Sequence, residues 1–371
     1  MNRKASELLS HESLIRLSRL LLRRKSEQLQ GSSPQSLLEQ SVDLGREDEG
    51  ESFLALAQSH HVVVRALETL LGLERERRGG LPVRWIENAL TAEKARIANA
   101  LHFLDRICAA FHDFGCDVTV MKTLDHWPDF GSDLDLYTNA SPADISRIME
   151  ERFGAELQQR SWGDCLANKW NFSVPDLPEA VEIHVSRLGQ TGEQVGIATT
   201  LASRARKVSV GGYQFHVPSI PDRLMISTLQ RMYRHFNFRL CDIVDTLEVG
   251  DAGRIDYYLL RLLANDAGIW EGVATYLRIV SDYAATYRAS GLDLPQFVSI
   301  AGHFGGETLY YSKGYLRVPI LPHSVWLYGS ELAHVLSRGE LHNGVRLSLL
   351  PLLGTAAAAK QKLTGSNQGI W

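Results

Sequence analysis

Apolar positions in the first third of the chain recur at intervals of three and four residues. Leu14, Leu17 and Leu21, with Ile15 and Leu22 beside them, predict an amphipathic helix within residues 1–30. The same period predicts helices at about 52–76 and 83–114. Gly79-Gly80-Leu81-Pro82 separates them, with Pro82 suited to the start of a helix. Gly31-Ser32-Ser33-Pro34 and the acidic run Arg46 to Glu51 read as a loop or a short helix with a flexible connection.

At Phe114 the period changes. Gly115-Cys116 breaks the helix, and apolar residues then alternate with polar ones, as a half-buried strand requires. Strands are predicted at 117–122, 133–138, 155–161, 168–174, 180–186, 206–211 and 213–217, with Gly211-Gly212 as a two-residue hairpin turn between the last two. Ser141-Pro142 opens an intervening helix, Ser141 capping it and Pro142 at its first position, and the helix ends before Gly154. From Ser219 the helical period returns, at roughly 220–235, 238–250, 253–267, 270–288 and 321–338, and the residues after Gly365 read as a loose tail. The pattern predicts an α+β protein: a mixed β-sheet core with helices at 83–218, an N-terminal helical region at 1–82 and a C-terminal helical domain at 219–371.

Composition narrows the setting. With 371 residues, the chain exceeds what one small core organises. Apolar residues at 44%, charged residues at 22% and a net charge of −4 describe a soluble globular chain with no global attraction to nucleic acid. Cys108, Cys116, Cys165 and Cys241 show no paired or zinc-like spacing, which points to reduced thiols and a cytoplasmic protein. No secretory signal and no transmembrane segment are expected. The arginines near residue 20 are mixed with Glu7, Glu12 and Glu27, so a solvated face on a packed helix outweighs a membrane or nucleic-acid helix. The Trp and Tyr residues of 161–174 and 257–276 read as core, and His60 and His61 as ordinary residues.

The alternating strand at 133–138 carries the chemistry. Asp133 and Asp135 are two apart and share a face, while Leu134 and Leu136 turn into the core. Adjacent carboxylates repel, and a fold that keeps them neutralises them with a cation. Glu182, in the alternating Val181-Glu182-Ile183-His184, completes an oxygen-rich set suited to Mg²⁺. His184 shares the face of Glu182 and either orients it or touches a substrate. Arg231, Arg234, His235 and Arg239 fall at near-helical spacing. Lining a cleft as acceptor or phosphate contacts competes there with ion pairing to Asp242 and Asp245, and the ion pairs are the preferred account. The metal reading, and the enzymatic reading that rests on it, requires Glu182 to lie beside both aspartates, with no lysine or arginine buried among them in the ion's place.

These blocks, in their order and spacing over about residues 100–250, resemble the DNA polymerase β-type nucleotidyltransferase superfamily, and most closely its uncharacterised bacterial nucleotidyltransferase family. The similar segments are Met121-Lys122-Thr123, Asp133-Leu134-Asp135-Leu136, Val181-Glu182-Ile183-His184, Pro221-Asp222-Arg223-Leu224, Arg231 to His235 and Asp242-Ile243-Val244-Asp245. The resemblance implies transfer of a nucleoside monophosphate from a nucleoside triphosphate such as ATP to a small-molecule, peptide or RNA acceptor. Two Mg²⁺ ions, or Mn²⁺, would be held by Asp133, Asp135 and Glu182, with Glu182 also helping to accept the attacking hydroxyl's proton. Lys122, Thr123, Gly131 and Ser132 would contact the nucleotide. Two positions depart from the pattern: Thr123-Leu124 stands where the superfamily places a glycine-containing pair, and Trp127 to Ser132 lacks its arginine. A module that keeps the architecture and binds without turnover is the alternative that these departures imply.

Overall fold

The computed structural model describes residues 3–22, 47–77, 83–288 and 290–364. The expected loop at 31–46, the Gly79–Pro82 turn, the residues after Gly365 and the basic residues Arg23 to Lys25 lie outside them. The fold is mixed α+β.

Five strands form the central sheet, in the order β1-β2-β5-β4-β3: β1 (Val118–Val120), β2 (Asp133–Thr138), β3 (Glu156–Leu157), β4 (Lys169–Val174) and β5 (Leu177–Val185). β2 and β5 run parallel, and every other pairing in the sheet is antiparallel. Strand β2 has its predicted bounds because Gly131-Ser132 precede it and the Ser141 cap follows close behind. That cap is formed as expected: the Ser141 side chain accepts from Asp144 N, Pro142 opens the helix, and Gly154 closes it in the left-handed conformation. The hairpin of β6 (Arg206–Val210) and β7 (Tyr213–Val217) turns at Gly211-Gly212, both at positive φ.

Several elements differ from expectation. The strand at 155–161 shrinks to Glu156–Leu157, because Ser161 caps a short helix, Trp162–Ala167, through a reciprocal capping box with Asp164. The helix at 52–76 is two helices, Glu47–Ser59 and Val63–Arg77, parted at His60–Val62, with His61 at φ 52°. The helix at 220–235 ends in a wider π turn over Leu229–Arg234. A helix at Val195–Arg204 and a three-stranded sheet of β8 (Asn237–Phe238), β9 (Tyr310–Ser312) and β10 (Tyr315–Arg317) carry no strong periodic signal in the sequence. Trp270 and Tyr276 are core residues as read, but Trp162 and Tyr258 are exposed.

A continuous buried cluster joins the three regions, running from Leu14 through the sheet residues Leu134, Leu136, Val181 and Ile183 to Leu327. Leu14 and Leu17 of the helix Arg3–Leu22 are buried in it, so that helix is a packed one, with Arg16 paired to Glu12 on its outer side. Ser18 hydrogen-bonds the Tyr283 hydroxyl at 2.7 Å, tying this helix to the helix Trp270–Tyr287.

Candidate functional site

One cleft of about 170 Å³ opens at the edge of the β2–β5 pair. Its floor is the polar face of those strands. Register pairs Asp135 with Glu182 and Tyr137 with His184, so Asp133, Asp135, Glu182 and His184 share one face while Leu134, Leu136, Val181 and Ile183 are buried on the other. Arg231, Arg234, His235 and Arg239, from the π turn and the segment after it, line the same cleft. Lys122, Thr123, Gly131 and Ser132 also line the cleft, so all twelve residues singled out in the sequence, His184 included, gather at the cleft or directly behind it.

The charge arrangement inside the site departs from expectation. Lys122 forms a close ion pair with Asp135, and its ammonium lies 3.4 Å from Glu182 Oε1. Lys169 donates to Glu182 Oε2 at 2.8 Å and pairs with Asp164 at 2.9 Å. It reaches Glu182 because the antiparallel β4–β5 register sets Lys169 against His184. His184 Nε2 is 2.7 Å from Glu182 Oε1. Both oxygens of Glu182 are therefore engaged, and two lysines stand among the carboxylates where the metal reading required none. Although burial alone would raise the Glu182 carboxyl, the charges of Lys122, His184 and Lys169 hold it well below the usual carboxylate range. A carboxylate so firmly ionised is a poor proton acceptor, so the expected help of Glu182 in accepting a proton does not fit this environment.

Asp133 is the opposite case. It is exposed, and the only hydrogen bond its carboxylate takes among the described residues is from Ser132, at 3.3 Å. Its position in the cleft and the charges of Asp135 and Glu182 raise its carboxyl above the ordinary value.

The nucleotide-contact residues are corrected in part. Lys122 is occupied by carboxylates instead of being free for a phosphate. It sits at φ 54°, ψ −53°, at the centre of a γ-turn closed by Thr123 N and Met121 O, a backbone state rare for a residue with a side chain. Thr123 is buried, and its hydroxyl bridges the strands, accepting from Asp135 N at 2.8 Å and donating to Asp133 O at 3.3 Å. Gly131 and Ser132 remain at the cleft surface. The arginine missing before the Asp pair has a distant substitute: Arg96 donates to Gly131 O at 3.3 Å and pairs with Glu179, bracing that loop.

Among the basic residues, only Arg231 forms an expected ion pair, with Asp242 at 2.8 Å, and that pair is buried instead of on the surface, while Asp245 is paired with Arg65 and His126. Arg234 and Arg239 have no carboxylate partner among the described residues. Arg239 instead donates toward His61 Nδ1 at 3.3 Å. His60 is structural: it accepts from Leu240 N at 3.1 Å and meets Gly314 O at 2.9 Å, and burial lowers it to about 4, keeping it neutral. His61 is not ordinary. Released from the helix by the break at 60–62, it lines the cleft beside His126. His61, His126, Lys169 and Gln230 are the site residues that sequence reasoning missed, since their positions depend on the helix break, the Thr123–His126 turn, the β4–β5 register and the π turn. The chain matches no protein-family model and no curated protein.

Proposed function

We propose that the cleft binds a nucleoside triphosphate with Mg²⁺ and that the protein is a nucleotidyltransferase with a polymerase β-like core. The observation that carries this reading is one cleft lined both by Asp133 and Asp135, two apart on β2 with Asp135 in register with Glu182, and by Arg234 and Arg239, guanidiniums without carboxylate partners among the described residues. A polyphosphate chain needs both a hard divalent ion and guanidinium donors.

The donor set fits Mg²⁺ at Asp133, whose oxygens open to the cleft, together with the Asp135 oxygen that Lys122 leaves free, since the other Asp135 oxygen is paired with Lys122. It does not fit at Glu182, whose oxygens are taken by Lys122, Lys169 and His184. The proposal is accordingly narrower than the three-carboxylate, two-ion arrangement expected from sequence. Asp133 and Asp135 would hold the ion, which supplies charge neutralisation at the transferring phosphoryl group. Arg234 and Arg239 orient the phosphates, Ser132 donates its hydroxyl at the rim, and Glu182 holds Lys122 in place beside Asp135.

A second reading is favoured by one observation. The Lys122 ammonium lies between Asp135 and Glu182, a position that a catalytic cation would otherwise take. In that reading the cleft binds a phosphate ligand and does not turn it over. Incubation with labelled nucleoside triphosphates and Mg²⁺ separates the two. Transfer of label that is lost in Asp133→Asn and Asp135→Asn supports the enzyme. Metal-dependent nucleotide binding by calorimetry with no transfer supports the second reading. Absence of nucleotide binding ends both.

A further inference from the structure

Beside the carboxylates, the cleft meets a second cluster of different chemistry. His61, His126 and Cys241 each present a ligand-type atom, and the three atoms lie within 4.8 Å of one another. They come from three remote segments: the helix break at 60–62, the end of the Thr123–His126 turn, and the first turn of the helix Leu240–Asp251. Cys241 Sγ and His126 Nε2 are 3.8 Å apart, near the ~3.5 Å edge that a nitrogen and a sulfur define around a tetrahedral zinc ion.

The surroundings are those of a ligand set. His126 Nδ1 faces Asp245 Oδ2 at 2.5 Å, and Asp245 is itself held by Arg65 at 2.7 Å. A carboxylate on Nδ1 keeps that nitrogen protonated and aims Nε2 at Cys241, the outer hydrogen bond that metal-binding histidines make. Cys241 is fully buried, whereas His61 and His126 both line the cleft, so a fourth coordination position would face the cleft and its contents. Among the neighbouring cations, Arg65 is paired with Asp129 and Asp245, and Arg231 with Asp242. Only Arg239 stands next to the cluster without a carboxylate, and it favours an anionic oxygen in the fourth position.

We propose that His61, His126 and Cys241 form a site for a borderline-soft divalent ion of the zinc type, distinct from the Asp133–Asp135 site, with its fourth position open to an anionic oxygen in the cleft. Nitrogen and thiolate donors select such an ion over Mg²⁺. Binding displaces the Cys241 thiol proton and the His126 Nε2 proton to solvent and leaves Asp245 as the outer partner of His126 Nδ1.

Cobalt(II) titration of the full chain tests this. One equivalent is expected to bind with a thiolate-to-cobalt charge-transfer band, and Zn²⁺ is expected to abolish that band by displacement. Cys241→Ser should remove the band, while Cys165→Ser, at an exposed cysteine, and Asp135→Asn should leave it, the latter making the result independent of the nucleotide site. His61→Ala removes a ligand at the cleft surface without touching the core. It should weaken cobalt binding at least tenfold even if Cys241→Ser fails to fold. A folded wild-type chain that binds no cobalt, a band that survives Cys241→Ser, or unchanged affinity in His61→Ala would each overturn the proposal.

Discussion

Glu182 and Asp133 stand on one face of one sheet, and their surroundings have opposite effects. Glu182 is at the enclosed end, clasped by Lys122, Lys169 and His184 and held firmly ionised. Asp133 is at the open end, beside like charges and one serine hydroxyl, and its ionised form is disfavoured. The enclosed carboxylate contributes to the fold and has no free oxygen for a ligand. The open one costs stability and keeps its oxygens available. The division of labour follows from environment, since the residue types are nearly the same.

The largest effect should come from breaking the enclosed end. Glu182→Gln leaves the Lys122 and Lys169 ammonium groups buried with less counter-charge and should lower unfolding free energy by about 3–5 kcal/mol in urea titrations at neutral pH. The pH dependence sharpens the point. A carboxyl whose folded pKa is depressed contributes stability above its ordinary pKa and loses it as pH falls through the folded value. The gap between wild type and Glu182→Gln should therefore be full at neutral pH and close on acidification below the usual carboxylate range. A gap of constant size would contradict the environment described for Glu182.

Lys122→Met tests whether the lysine holds a cation's place. Freed of it, Asp135 regains both oxygens, and Asp133 with Asp135 should bind Mn²⁺ roughly tenfold more tightly by calorimetry, about 1.4 kcal/mol. Unchanged affinity would show that the ammonium does not compete with metal. Arg234→Ala should leave stability within about 0.5 kcal/mol, having no carboxylate partner to lose, while weakening nucleotide binding. The smallest change is at the open end. Asp133 has a raised folded pKa, so its contribution is favourable below the ordinary carboxylate value and is lost as pH rises through the folded one. Asp133→Asn should then melt slightly higher than wild type at neutral pH while losing metal-dependent nucleotide binding, the trade expected of a functional carboxylate.

Much of this face was legible in the sequence. Alternation at 133–138 placed Asp133 and Asp135 together, and the Ser141-Pro142 signal bounded the next helix. Both are local signals. The lysines were not legible in their roles. Lys169 reaches Glu182 only through the β4–β5 register, and Lys122 turns inward through a backbone conformation that no residue preference at that position announces. His61 was hidden for a related reason: the apolar period runs through 60–62, and the break there is fixed by tertiary contacts, with His60 anchored to Leu240 and Gly314 far along the chain.

The contact between Ser18 and Tyr283 spans a sequence separation of 265 residues. The helix Arg3–Leu22 packs on Glu47–Ser59 and Val63–Arg77, near it in sequence, and also on Leu240–Asp251 and Trp270–Tyr287, far from it. Its neighbours can therefore form with it at once, but its full burial waits on loop closure over most of the chain, which slows folding.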